Sequence, residues 1–410
     1  MVKDIVWDKV TCLSLPDMEL HFPDSFIFGT STAACQIETA FEHDWSGHIS
    51  RDGNTFNKTT DHEKRYKEDV KLIASLAPNY RMSLMWSRLQ RSPLSAFHEA
   101  TKNEYHELLQ NLKHSGVNIM MVLHHFANPI WFSKRDGWTN SDNVRLWLDY
   151  ARKVVDEYGH YISIWNTFNE PNLYTSMGWV AGEFPPYKKN FAKAKKVIDH
   201  LSVAHAAIYD YIKNKFPDKM VGISHNCTVF AAENFLGWLP AKLFDAVYME
   251  WVPKRFMQTD FFGMSYYARI GYDPLPITYL LTPEKFKKSG KAHDDMWEYY
   301  PQGLRECLNR YWKQYQKPII ITENGICTHD DTKRVIAIRD YLEIVHDAIK
   351  KGIDVQGYFH WSAWDNFEWS LGPTYQFGLY ECHPETKERL KKPSADIYAR
   401  IAHTRTLRIP

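Results

Sequence analysis

The sequence predicts an α/β protein built as a single (β/α)8 TIM barrel with insertions in its βα loops. Eight short apolar runs alternate with helical patterns along the chain. The runs are continuously apolar, as expected of parallel strands that are buried on both faces. A length of 410 residues suits one barrel with long βα loops. Because no internal repeat or low-complexity linker divides the chain, we predict one domain over residues 1–410.

The predicted strands are the apolar runs in chain order. They comprise residues 26–33, 80–86, 118–126, 162–170, 219–226, 260–267, 317–325 and 355–362. The alternative architecture, an open doubly wound sheet, binds phosphate at a glycine-rich turn after its first strand. No such turn follows the run 26–33, so the barrel is favoured.

Helical patterns fill the intervals between the predicted strands. Three of them have an apolar face, formed by Tyr66, Val70, Ile73 and Ala77, by Tyr105, Leu108 and Leu112, and by Val335, Ile338, Leu342, Val345 and Ile349. The other predicted helices span residues 142–158, 190–215, 240–250, 302–315 and 394–403. Gly116 and Gly352 follow two of these patterns and suit helix C-caps.

The composition is that of a globular protein, with 44% hydrophobic and 24% charged residues. A formal net charge of +1 provides no field for nucleic acid or a membrane surface, so we expect neither as a partner. The chain is rich in aromatic residues, with 15 Trp, 24 Tyr and 22 Phe. Some of these rings fill the core, and others offer flat faces on which sugar rings stack.

The cysteines and the N-terminus indicate a cytoplasmic location. The six scattered cysteines form no C-x-x-C pair, and we expect reduced, mostly buried thiols at Cys12, Cys35, Cys227, Cys307, Cys327 and Cys382. Residues 1–20 lack the apolar core of a secretory signal, and no run approaches the ~20 apolar residues of a membrane span. The glycosylation-type triplets at Asn57 and Asn226 are then chance matches.

Several predicted strands end in polar side chains. The run 162–170 ends in Asn169 and Glu170, and Pro171 then ends the strand because proline lacks a backbone donor. The run 317–325 carries Glu323 near its end. Because barrels carry out chemistry at the C-terminal ends of their strands, both carboxylates belong to the barrel mouth, on opposite sides.

Paired carboxylates beside aromatic rings indicate glycosidic bond cleavage. One carboxylic acid protonates the leaving oxygen, and the other carboxylate meets the anomeric carbon as an oxocarbenium-like centre forms. A single strand-end Glu could be structural. Two of them, with Asn, Tyr and Arg placed nearby by the topology, favour catalysis.

Two other enzyme classes fit less well. A metal-dependent hydrolase would use several His and Asp ligands, but only His124 and His125 are adjacent, and neighbours on a strand point to opposite faces. A Ser or Cys nucleophile has no supporting G-x-S-x-G motif. We therefore expect neither a metal nor a cofactor.

At these residues the sequence resembles the family 1 glycoside hydrolases, the retaining enzymes of β-glucosidase and β-galactosidase type. The resemblance covers nearly the whole chain in family order. It is carried by "FPDSFIFGTSTAACQIETA", "DHEKRYKEDVKLI", "YRMSLMWSR", "TFNEP", "ITENG", "DNFEW" and "KKPSADIY". The pair "TFNEP" and "ITENG" is highly specific.

The resemblance implies a role for each residue that matches the family motifs. Glu170 would be the general acid and then the base, and Glu323 the nucleophile that forms a glycosyl-enzyme. Arg81 and Tyr267 would keep Glu323 charged and oriented, and Asn169 would bind the sugar 2-hydroxyl. The positions that match the family's sugar-binding residues are Gln36, His125, Trp361, Glu368, Trp369 and Phe377.

The chain departs from the family pattern at several positions. The departures are Cys35, Thr39, Phe126, Ala127, Asn128, Ser265 and His360. We expect them to leave the chemistry intact and to change the surroundings of the pocket. The chain is also short for the family, so the leaving-group side, residues 268–300 especially, should differ most. Residues 370–381 lack the family's Ser, Lys and Tyr phosphate-binding set, which favours a free sugar over a phosphorylated one.

Together these observations predict a retaining exo-β-glycosidase that acts on a small-molecule β-glycoside with a glucose, galactose or fucose unit. Transglycosylation, in which an acceptor replaces water, is compatible with the same residues. The alternative is a catalytically weak or inactive sugar-binding barrel, although both carboxylates are present. The sequence leaves the oligomeric state open.

Overall fold

A closed barrel of eight parallel strands forms the centre of the computed structural model, which describes residues 19–39, 42–56, 59–272 and 291–408. The barrel strands are β2 Ile27–Ser31, β3 Asn79–Ser83, β4 Asn118–His124, β5 Ile164–Asn169, β6 Met220–Ala232, β7 Phe261–Tyr272, β8 Ile319–Asn324 and β9 Val355–Trp361. Each strand pairs with the next along the chain, and β9 pairs with β2. Every predicted run overlaps one of these strands, so the predicted (β/α)8 barrel is confirmed.

Helices surround the barrel. They are α1 Ala34–Ile37, α2 His62–Leu76, α3 Trp86–Leu89, α4 Glu99–His114, α5 Ile130–Ser133, α6 Asp142–Tyr158, α7 Pro171–Ser176, α8 Phe191–Lys215, α9 Trp238–Asp245, α10 Val252–Lys254, α11 Gln302–Tyr315, α12 Asp331–Lys350 and α13 Pro393–Thr404. Each predicted helical segment overlaps one of them. Gly116 and Gly352, with φ of 77° and 85°, follow α4 and α12 as predicted for C-caps.

Three predicted elements differ clearly in extent from the structure. The segment 240–250 is α-helical only up to Asp245 and continues as a π-helical turn, Ala246–Trp251, before α10. Strands β6 and β7 run past their predicted ends at residues 226 and 267. They continue to pair as far as Ala232 and Tyr272, because each supplies the other's backbone hydrogen bonds beyond the barrel.

The barrel interior is apolar towards the N-terminal ends of the strands and polar above them. Its apolar cluster consists of Met120, Ile164, Phe261, Ile320 and Phe359, with Ile27 and Met220 packed against it. The Phe359 ring fits because the facing residue is Gly29, where a Cβ atom would lie 2.4 Å from the ring. In the polar part above the cluster, Asn166 Nδ2 donates to Ser224 Oγ at 3.0 Å.

Two short antiparallel pairs complete the sheet structure. Strand β1, Leu20–His21, pairs with β12, Thr406–Leu407. Strand β10, Tyr380–Cys382, pairs with β11, Arg389–Lys391, to form a hairpin after the loop that follows β9. Within the described residues, no helix is long and apolar enough to cross a lipid bilayer.

The described cysteines are free thiols, as predicted. Cys35, Cys227, Cys307 and Cys327 are buried and Cys382 is half-buried. Cys12 and the triplet at Asn57 lie outside the described residues. One domain over residues 1–410 stays a prediction.

A buried ion pair joins the β10–β11 hairpin to α2. Arg389 Nε and Nη2 donate to the two carboxylate oxygens of Asp69 at 3.0 and 2.9 Å. His62 Nδ1 lies 2.8 Å from the same carboxylate, whose side chain has no exposed surface. The Arg389 guanidinium also stacks on the Trp364 ring at 4.9 Å. The pair therefore anchors the loop after β9, which carries Glu368 and Trp369.

Asp69→Asn should lower the free energy of unfolding by about 3 kcal/mol, because it leaves the Arg389 charge buried without its counter-ion. Urea denaturation measures this loss. The matched control is Glu68→Gln on the same helix, where Glu68 is 71% exposed and pairs with Arg65 at the surface. We expect the control to change stability by less than about 0.5 kcal/mol. Equal effects of the two substitutions would contradict the role of the buried pair.

Candidate active site

A cleft of about 1180 Å³, including its open mouth, lies at the C-terminal ends of the barrel strands. Nine of the predicted site residues line it: His125, Asn169, Glu170, Tyr267, Glu323, Trp361, Glu368, Trp369 and Phe377. The other two, Arg81 and Gln36, lie directly behind Glu323 and Glu368 and hydrogen-bond to them. The barrel thus brings all eleven predicted residues together from five strands and the segments that follow the strands.

The Glu323 carboxylate is held by two donors from different strands. Arg81 Nη1 on β3 donates to Oε1 at 2.5 Å, and the Tyr267 hydroxyl on β7 donates to Oε2 at 2.9 Å. Arg81 has no exposed surface, and Glu323 is 4% exposed. Burial raises the pKa of Glu323, while the Arg81 charge and both hydrogen bonds oppose that rise.

The same guanidinium orients Asn169 and, through it, His125. Arg81 Nη2 donates to Asn169 Oδ1 at 2.6 Å, so the Asn169 amide nitrogen faces His125 Nε2 at 2.9 Å. Nε2 must then be the acceptor, and the ring proton lies on Nδ1. Burial, with the nearby charge of Arg81, holds the pKa of His125 well below its usual range, so the ring is neutral.

Glu170 lies in the tight turn between β5 and α7. Its backbone has φ 42° and ψ 59°, in the left-handed region, and Pro171 begins the helix. The carboxyl group is buried, and its Oε1 accepts a hydrogen bond from Asn226 Nδ2 at 3.0 Å. Burial and the negative charge of Glu323 raise the pKa of Glu170 to about 8. Glu170 is therefore protonated at neutral pH.

The amide of Asn226 has a fixed orientation. Its Oδ1 accepts hydrogen bonds from the hydroxyl groups of Thr228 at 2.8 Å and Tyr248 at 2.9 Å. Because both donors bind the oxygen, the nitrogen must face Glu170. Asn226 is not among the site residues predicted from the sequence. Its position was nevertheless a signal, because Asn226 ends the fifth run, 219–226, just as Glu170 ends the fourth.

The remaining predicted residues form one polar and aromatic end of the cleft. Gln36 Nε2 donates to the Phe367 carbonyl at 2.9 Å and reaches Glu368 Oε2 at 3.4 Å. Burial, with the charge of Glu323, raises the pKa of Glu368 to about 8. The His125 ring stacks near Trp369, with centroids 5.8 Å apart. Carboxyl and amide groups beside flat rings are suited to bind sugar hydroxyls and the sugar face.

Both carboxylate-bearing strands contain one extra residue next to the site. Relative to β6, β5 has an extra residue between Asn166 and Asn169. Relative to both β7 and β9, β8 has an extra residue between Ile321 and Asn324. Such bulges re-aim side chains. The bulge in β5 lets Asn169 face the barrel interior as Asn166 does, three positions before it, while Thr167 and Phe168 both pack outward. The bulge in β8 lets Glu323 face the interior although Ile321, two positions before it, packs outward.

The predicted opposite orientations of His124 and His125 are confirmed. His125 lines the cleft, whereas His124 packs against Trp138 and Phe168, with Nε2 3.0 Å from Asn128 Oδ1. Of the residues that depart from the family pattern, Phe126 lines the cleft. The others do not: Cys35, Thr39, Ala127, Asn128, Ser265 and His360. Among the described residues, no group of three or more His, Cys, Asp and Glu side chains could hold a metal ion.

A second end of the cleft was not predicted residue by residue. It is lined by Leu173, Ser176, Met177, Phe184, Thr228, Phe230, Phe244, Tyr248, Ala268, Ile270, Met296 and Trp297. The sequence pointed to residues 268–300 for this end, and residues 273–290 lie outside the described part. Most of its described wall comes instead from β6, α7 and α9 with the turns after them.

A barrel whose mouth holds two carboxyl groups in contrasting environments beside aromatic rings defines a glycoside-cleaving enzyme. The sequence profile of Glycosyl hydrolase family 1 matches residues 18–233 and 254–407. The chain therefore belongs to glycosyl hydrolase family 1, and it is a β-glycosidase.

Individual relatives agree with this family. The chain is 28% identical to beta-glucosidase A of Acetivibrio thermocellus, with 93% of this chain and 98% of the relative covered. It is 27% identical to a beta-galactosidase of Pyrococcus woesei, with 93% and 96% covered. The solved structure of a beta-glycosidase from Pyrococcus horikoshii superposes with a TM-score of 0.82 at 31% identity, covering 96% and 97% of the two chains.

Proposed function

We propose that the protein is a retaining exo-β-glycosidase for β-glycosides with a glucose, galactose or fucose unit at the non-reducing end. Glu170 is its acid and base, and Glu323 its nucleophile. The observation that carries this assignment is the contrast between the two carboxyl groups. Glu323 is paired with a guanidinium, which favours the carboxylate, whereas Glu170 has a pKa of about 8 and holds its proton.

In the first step the Glu323 carboxylate attacks the anomeric carbon and the glycosidic bond breaks. Glu170 gives its proton to the leaving oxygen, and the sugar becomes an ester of Glu323. Asn169, held by Arg81, hydrogen-bonds the sugar 2-hydroxyl as positive charge develops on the ring. The Arg81 and Tyr267 bonds keep the attacking carboxylate ionised and oriented.

In the second step a water molecule releases the sugar from Glu323. Formation of the ester removes the negative charge of Glu323, which is one cause of the raised pKa of Glu170. Glu170, now without its proton, is thereby stabilised as a carboxylate and accepts a proton from the attacking water. Glu170 is then protonated and Glu323 is again a carboxylate, as they were before the first step. An acceptor sugar or alcohol in place of water gives transglycosylation.

We assign sugar binding to Gln36, His125, Trp361, Glu368, Trp369 and Phe377. His125 supports this role because its Nδ1–H is buried and meets no acceptor among the described residues, which leaves it available to a sugar hydroxyl. Gln36 Oε1 is also buried and accepts no hydrogen bond from the described residues. A sugar that lacks the matching hydroxyl leaves such groups unpaired, at a cost of about 1–3 kcal/mol each.

The free thiols support the expectation of a reducing, cytoplasmic environment. We retain the sequence-based proposals of a single catalytic domain over residues 1–410 and of an unphosphorylated sugar. A sedimentation measurement would determine the oligomeric state, which the sequence leaves open.

Glu170→Gln and Glu323→Gln should both abolish most activity on a panel of β-glucoside, β-galactoside, β-fucoside, β-mannoside and 6-phospho-β-glucoside. Loss of the acid should lower kcat/KM by about 10²–10⁴-fold on alkyl leaving groups. For Glu170→Gln, the loss should be smaller on a substrate with a dinitrophenyl leaving group, because that group departs without a proton. Glu323→Gln should lose activity on substrates with either kind of leaving group. Glu385→Gln, at an exposed site in the β10–β11 turn, is the matched control. A wild type that binds sugars but cleaves none would instead establish an inactive sugar-binding barrel.

The first sugar released from a β-glycoside should be the β-anomer, because two inversions at the anomeric carbon restore its configuration. Proton NMR within the first minutes of reaction distinguishes the two anomers before they interconvert. Initial release of the α-anomer would exclude Glu323 as a covalent nucleophile.

Asn226→Leu should move the alkaline limb of the kcat/KM profile to higher pH. Activity requires protonated Glu170, so the wild-type profile should fall as the pH rises through about 8. The Asn226 hydrogen bond stabilises the charged carboxylate and lowers its pKa, so its removal raises that pKa by up to about one unit. Asn118→Leu, at the exposed start of β4, should leave the limb in place. A shift to lower pH would contradict the assignment.

A further inference from the structure

The end of the cleft beyond Glu170 is built on the extension of β6 and β7 past the barrel. Alternate residues of β6, namely Asn226, Thr228 and Phe230, line the cleft, as do Ala268 and Ile270 on β7. This spacing places them on one face of the paired strands, which remain in register at Phe230 and Ile270. Because the acid protonates the leaving oxygen, this end receives the leaving group.

The wall of this end is apolar except for Asn226 and the hydroxyl groups of Ser176, Thr228 and Tyr248. Its aromatic part is formed by Phe230, Phe244 and Tyr248, with the Phe230 ring 6.3 Å from Phe244 and 5.4 Å from Tyr248. Leu173, Met177, Ile270 and Met296 contribute the rest. Phe184 and Trp297 lie next to the sugar end, with ring centroids 6.1 Å from Trp369 and 6.1 Å from Phe377. The hydroxyl groups of Thr228 and Tyr248 already donate to Asn226.

The described residues that line this end, beyond Glu170, include no charged side chain. The nearest charges on β7 lie on its other face. Arg269, between Ala268 and Ile270, pairs with Glu298 through hydrogen bonds of 3.0 and 2.8 Å. A second sugar in this place would bury several hydroxyl groups against carbon, and each unpaired hydroxyl costs about 1–3 kcal/mol.

We propose that this end of the cleft binds the apolar part of an amphiphilic β-glycoside, the ether of a sugar with an alkyl or aryl alcohol, in preference to a second sugar. The proposal rests on the proposed function, because Glu170 as the acid defines the leaving-group side. The sugar end supplies the polar contacts, and the hydrocarbon lies along β6, β7 and α9. Burial of each methylene group then adds to the binding of the transition state.

The test is a series of methyl, butyl, hexyl and octyl β-glycosides of the preferred sugar, compared with the corresponding disaccharide. We expect kcat/KM to rise with chain length, by up to about fourfold per buried methylene. Octyl glycoside should exceed the disaccharide by at least about tenfold. Substrates are used below their critical micelle concentrations. Above those concentrations, micelles would bind to the apolar side chains Leu239 and Leu243, which are 57% and 59% exposed on the outer side of α9.

Two variants connect the chain-length dependence to this wall. Phe230→Ser and Ile270→Ser should each reduce the ratio of octyl to methyl kcat/KM by about tenfold, and either suffices if the other fails to fold. Phe191→Ser is the matched control, because Phe191 is 75% exposed at the start of α8 and does not line the cleft. The control should keep the wild-type ratio.

The outcomes separate the two proposals. Equal kcat/KM for methyl and octyl glycosides, or preference for the disaccharide, with activity intact, would overturn the apolar leaving group and leave the β-glycosidase assignment standing. An unchanged ratio in folded Phe230→Ser and Ile270→Ser would also overturn it. Hydrolysis of no member of the series, with aryl glycosides included, would overturn the proposed function itself.

Discussion

The site depends on one buried cation. Arg81 has no exposed surface, so its charge has to be neutralised inside the barrel, and Glu323 supplies the opposite charge. Burial and the charge of Glu323 raise the pKa values of Glu170 and Glu368 to about 8, and Arg81 hydrogen-bonds to neither of them. The Arg81 charge instead opposes the rise that burial causes in the pKa of Glu323. The same guanidinium fixes the Asn169 amide and, through it, the proton position on His125.

The fold was predictable because its two requirements are visible in the chain. Parallel strands buried on both faces must be apolar throughout, and this produced eight runs that could be counted. The C-terminal ends of such strands meet at one mouth, which brought Glu170 and Glu323 together from a separation of 153 positions along the chain. Neither inference requires knowledge of a side-chain contact.

The orientation of the reacting groups was less predictable. Strict alternation along β8 places Glu323 on the same side as Ile321, which packs against the outer helices. Only the extra residue in β8 turns Glu323 towards Arg81, and bulges have no signature in a uniformly apolar run. The role of Asn226 was hard to predict for a related reason. Its function depends on Tyr248, which lies in a π-helical turn that the pattern of apolar residues did not indicate.

The extra residue in β8 also determines which changes in chain length the enzyme tolerates. Removal of one residue between Ile321 and Asn324 would remove the irregularity at this point of the pairing with both β7 and β9, and would turn the Glu323 position towards the helices. A loop such as the β10–β11 turn can gain or lose residues without moving any barrel strand. We therefore expect the site to withstand a change of chain length in such a loop but not between Ile321 and Asn324 of β8.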